Sequence, residues 1–145
     1  MLDIHIKTIP HKEHRYPTFG DYWRSADGKQ EMRISEMGND DYAFLIAIHE
    51  LIEWYLTEKR GVKEEDIKAF DEMFEKERLQ GLHDEQKESG FDPRAPYVKE
   101  HTFATGIEKQ LAKELGVEYD AYNSELNSLF AKLEAAGNTK TGAGK

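Results

Sequence analysis

From Tyr42 to Leu56 the chain reads YAFLIAIHELIEWYL, apolar at every position except His49, Glu50 and Glu53. A helix apolar on nearly all sides is expected to be buried, and carboxylates almost never go fully inside unpaired. A lone buried carboxylate is either neutralised or balanced by a cation. Three ionisable groups in the order His-Glu-x-x-Glu therefore require a partner. A metal ion suits all three.

His49 and Glu53 are four residues apart, so both project from one helical face about a turn apart and can ligate a single ion. Glu50 lies roughly 100° round the helix. In His-Glu-x-x-His zinc hydrolases that position holds the general base. Here a carboxylate replaces the second His, which keeps an oxygen ligand but departs from the motif. Further along, His101 and Glu108 fall seven apart on the inward stripe of another predicted helix, separated by the small residues Ala104 and Thr105. Two helices that each turn a His and a Glu inward are how metal sites in bundles are built. The predicted ligands are His49, Glu53, His101 and Glu108, with Glu50 as base. The chain has no cysteine, so only imidazole and carboxylate are available; zinc is favoured, with magnesium or manganese as alternatives.

Two other readings of the same residues stand beside this one. A buried His–Glu hydrogen-bond network can fix helix register without any ion. Alternatively, Glu50 and Glu53 with Asp71 and Glu108 form a magnesium cluster of the kind used by all-helical nucleotide pyrophosphohydrolases. That arrangement gives His49 and His101 no role. Among other residues, Asp71 reads as a solvated boundary carboxylate, and His11 and His14 as surface histidines of a polar loop. His83 shows no inward pattern. Arg94 is expected to close its loop onto a carboxylate, and Trp54 and Tyr55 to belong to the core.

The 145 residues suit one domain with a real core. Residues 1–35 read as β-rich: Ile4 and Ile6 alternate with polar neighbours, and residues 21–26 and 29–34 flank Asp27-Gly28, the preferred two-residue hairpin turn. The expectation is a small antiparallel element. Residues 40–135 read as helical, with segments at about 40–60, 64–78, 96–116 and 118–135 bounded by caps, glycines and prolines. Residues 80–96 form a long loop punctuated by Gly81, Gly90, Pro93 and Pro96. Residues 136–145 are small and polar, and are expected to be a disordered tail. The fold class is α+β, mainly helical, with a four-helix core.

A net charge of −9 argues against nonspecific binding to a phosphate backbone, which needs clustered Lys and Arg. The apolar run is shorter than a membrane span, and the first residues show no secretory signal pattern. A cytoplasmic protein without a membrane partner is expected.

From His49 onward the chain resembles a family of small uncharacterised proteins encoded by bacteriophages and prophages. The likeness rests on His49-Glu50-Leu51-Ile52-Glu53, on residues 61–71, on Asp92-Pro93-Arg94-Ala95-Pro96-Tyr97, and on Glu100-His101, Ala104-Thr105, Ile107-Glu108 and Leu115-Gly116-Val117. It spans roughly residues 42–122. The resemblance implies a phage protein working in the host cytoplasm and names no reaction. Two functions follow as expectations. One is a metal-dependent, zincin-like hydrolase of an unknown small-molecule or peptide substrate. The other is a non-enzymatic phage accessory protein that binds a host protein or a nucleotide.

Overall fold

Asn39 starts the first helix: its side-chain oxygen accepts from the Asp41 and Tyr42 amides at 3.0 and 3.4 Å, and Asp40 and Asp41 lie at the positive end of the dipole. This helix, α1, runs Asp40–Lys59 in a computed structural model that describes residues 1–15, 18–84 and 87–139. The described residues add α2 (Glu64–Leu79), α3 (Val98–Leu115) and α4 (Tyr119–Thr139), preceded by strands β1 (Ile4–Ile9), β2 (Gly20–Arg24) and β3 (Gln30–Ser35). The protein is α+β and mainly helical.

The sheet is mixed, in the order β1-β3-β2. The hairpin is antiparallel as expected, with Tyr22 opposite Met32. β1 differs: it lies parallel to β3, with Ile6 beside Met32. β3 therefore lies between β1 and β2, which are not neighbours in the sheet. The hairpin turn also sits one residue earlier than an Asp27-Gly28 turn would place it. Gly28 N–H donates to the Ser25 carbonyl at 3.0 Å, and the Ser25 hydroxyl bonds Asp27 and accepts from the Lys29 amide. The loop closes between Ser25 and Lys29, with Gly28 in the left-handed conformation at φ 88°.

The main core joins sheet and helices. Ile34, Ala43, Leu45, Ile46, Ala112 and Tyr122 are buried together, with Leu111, Leu115 and Leu126 packed around them. A second cluster sets Phe70 and Phe74 of α2 against Ala95 and Tyr97. Two boundaries differ from the sequence reading. α3 begins at Val98 rather than near Pro96, because the Val98 amide still closes a turn onto Ala95. α4 continues to Thr139, so the expected tail starts as helix, and residues 140–145 lie outside the described residues.

α1 carries the larger correction. It buries Ala43, Leu45, Ile46, His49, Glu53, Trp54 and Thr57, yet Phe44 and Tyr55 remain 49% and 45% exposed. One face meets the core and the opposite face meets water. Tyr55 is therefore not a core residue, whereas Trp54 is, with its indole N–H on Glu58 at 2.9 Å.

Candidate metal centre

α1 and α3 lie antiparallel: Glu53 faces His101, while His49, one turn earlier on α1, reaches Glu108, two turns later on α3. The small Ala104 and Thr105 between them, both buried, let the helices close. Three atoms converge. His49 Nε2, His101 Nδ1 and Glu53 Oε2 stand 2.8, 3.1 and 3.2 Å from one another. Ligands on a tetrahedral zinc with bonds near 2.0–2.1 Å are about 3.3 Å apart. His49, Glu53 and His101 form a buried group that can hold a metal ion.

The outer nitrogens complete the picture. His49 Nδ1 meets Glu108 Oε1 at 2.9 Å, and Glu108 Oε2 accepts from the Tyr122 hydroxyl at 2.5 Å. His101 Nε2 faces Glu88 Oε1 at 3.6 Å, beyond hydrogen-bond reach, and is buried without a hydrogen-bond partner. An imidazole nitrogen offers a lone pair only when its partner nitrogen carries the proton. The Glu108 carboxylate on the outer nitrogen of His49 is the arrangement that turns its other lone pair inward. Glu108 is thus close to the centre but on the far side of His49.

Electrostatics follow from this geometry. Burial opposes a charged His49, but the Glu108 and Glu53 carboxylates outweigh it and hold its pKa well above the ordinary value. Burial likewise opposes ionised Glu53, and hydrogen bonds from His101 and His49 overcome it, pulling its pKa down. Glu50 goes the other way. Burial, reinforced by the neighbouring Glu53, raises its pKa and favours the protonated carboxyl.

A cavity of about 540 Å³ opens beside the three donor atoms. Glu50 lines it from α1, where its side chain lies flat on β2. A Cβ at Gly20 would stand 2.5 Å from Glu50 Cγ, so any larger residue there would displace the Glu50 side chain. The long loop supplies the opposite wall. Gly90 lies against the His101 ring, where a Cβ would be 2.4 Å from Cγ, and the Phe91 ring meets His101 edge-on at 4.6 Å.

Several residues stand elsewhere than the sequence suggested. Asp71 is not a solvated boundary residue. It lines the cavity, accepts from Tyr97 OH at 2.5 Å and Ser89 Oγ at 3.0 Å, and burial pushes its pKa up to about 6. His11 and His14 are not free surface histidines, because both bond the buried Ser35 hydroxyl at 2.6 and 2.9 Å. His83 stacks on Phe74 at 4.1 Å and pairs with Glu77. Arg94 closes its loop onto Asp92 and Glu77. Sequence reading missed Glu88, Gly90, Gly20 and Tyr122. Their roles depend on chain crossings that no local spacing encodes.

The chain matches no family model, no curated protein and no solved structure. Among the described residues no helix is long and apolar enough to cross a membrane.

Proposed function

We propose that this chain is a metal-dependent hydrolase of phage origin, with zinc held by His49 Nε2, His101 Nδ1 and Glu53 Oε2. One observation carries the reading: three donor atoms from two helices converge at 2.8–3.2 Å in the wall of a cavity. Two imidazoles and one carboxylate form a ligand set that catalytic zinc uses, leaving a further position for water or substrate. When bound, the ion acts as a Lewis acid, polarising the bond to be cut and acidifying the attacking water.

The other residues have separate tasks. Glu108 holds the His49 tautomer and is in turn fixed by Tyr122, and Glu88 faces the outer nitrogen of His101. Glu108 acts as an orienting group, so it moves from predicted ligand to support. Glu50 stands in the cavity wall next to the ligands, where a bound cation would favour its ionised form and so let it take and return a proton. The Gly20 backbone fixes where its carboxyl points.

Metal analysis of untagged protein tests this directly. One zinc per chain is expected, falling below a tenth in His101→Ala. Glu50→Gln should keep the ion and lose hydrolysis across a panel of peptide and nucleotide substrates. Absence of any stoichiometric ion in protein supplied with zinc would leave the bare His–Glu network. Bound ion with no turnover would favour the accessory binding protein.

A further inference from the structure

The outer face of α1 is the strongest feature that the cavity does not explain. Phe44, Ile48, Leu51 and Tyr55 recur at intervals of four, three and four, the spacing of a coiled-coil seam. Phe44 and Tyr55 are about half exposed, and Ile48 and Leu51 are half-buried. α1 turns His49 and Glu53 toward α3, so helical periodicity puts Phe44, Ile48, Leu51 and Tyr55 on its opposite side. Apolar residues grouped on one water-facing helix face mark an interface.

The seam is symmetric about its midpoint. Read outward from between Ile48 and Leu51, it gives Ile48 and Leu51, then Phe44 and Tyr55, then Asp40 and Lys59. Asp40 and Lys59 are exposed, and among the described residues neither has an ion-pair partner. Two such helices crossing antiparallel about a two-fold axis match isoleucine to leucine, phenylalanine to tyrosine, and aspartate to lysine. Each contact then occurs twice, as an isologous interface requires. The opposed helix dipoles reinforce the charge match.

We propose that this face binds a second copy of the chain, α1 against α1. The apolar seam forms the centre of the contact and the two aspartate–lysine pairs close its ends. Each cavity stays complete within its own chain.

Sedimentation velocity from 1 to 100 µM tests the proposal, with circular dichroism to confirm folding. A dimer is expected, with Phe44→Glu/Tyr55→Glu monomeric and normally folded; these side chains already reach water. Asp40→Lys and Lys59→Asp should each raise the dissociation constant about tenfold, and the double swap should restore it. A wild-type monomer at 100 µM overturns the proposal, as does a dimer unaffected by the two glutamates. A swap that fails to restore affinity overturns the antiparallel pairing.

Discussion

Two histidine pairs in this molecule have opposite chemistry. His49 and His101 converge on the Glu53 carboxylate between α1 and α3; His11 and His14 converge on the Ser35 hydroxyl at the end of β3. Around the first pair, buried carboxylates raise the His49 pKa. At the second the ring nitrogens meet a hydroxyl, and burial lowers both pKa values, that of His14 to about 4. An imidazole takes its role from what it faces. A carboxylate partner makes the pair a group that could hold a cation, whereas a hydroxyl partner makes it a neutral clasp.

The largest expected effect breaks the first pair. In metal-free protein Glu53→Ala leaves His49 and His101 crowded without their shared acceptor, at a cost of about 3–5 kcal/mol in urea unfolding. A loss below about 1 kcal/mol would show that the charges are not held there. Gly90→Ala comes next, because its methyl group must displace the His101 ring. Overpacking of this kind costs about 1–3 kcal/mol, and zinc affinity measured by competition should fall with it.

Ser35→Ala breaks the second pair more gently, at about 1 kcal/mol, since it removes hydrogen bonds between neutral groups. Its zinc content should not change. The smallest effect is in pH dependence. A His whose folded pKa is lowered binds fewer protons in the native state, so its stability contribution is full above about 6.5 and fades as pH falls toward 4. For His49 in metal-free protein the sign reverses. Its contribution is full below about 6.5 and fades as pH rises through its raised pKa. Imidazole signals followed by NMR at pH 7 should therefore show His14 neutral and His49 charged; like charge states would erase the contrast.

The sequence made one of these pairs visible and hid the other. His49, Glu53, His101 and Glu108 were legible because helical periodicity fixes which residues share a face, and apolar neighbours on that face expose a charge as an exception. His11 and His14 sit in a loop with no period, so nothing local connected them to Ser35, more than twenty residues away. The same limit applies to α1. Its composition read as burial on all sides, while packing covered one face and left Phe44 and Tyr55 in water.

By itself, then, the sequence determined the four helices, the hairpin and the two helical faces bearing His and Glu, because those depend on spacing and capping within one segment. Only the tertiary structure decided that β1 runs parallel to β3, that Glu108 supports His49 from behind, and that Gly90 and Gly20 leave room for His101 and Glu50. Those outcomes depend on which segments meet, and such meetings are set by the summed packing of the whole chain rather than by the preferences of any one stretch.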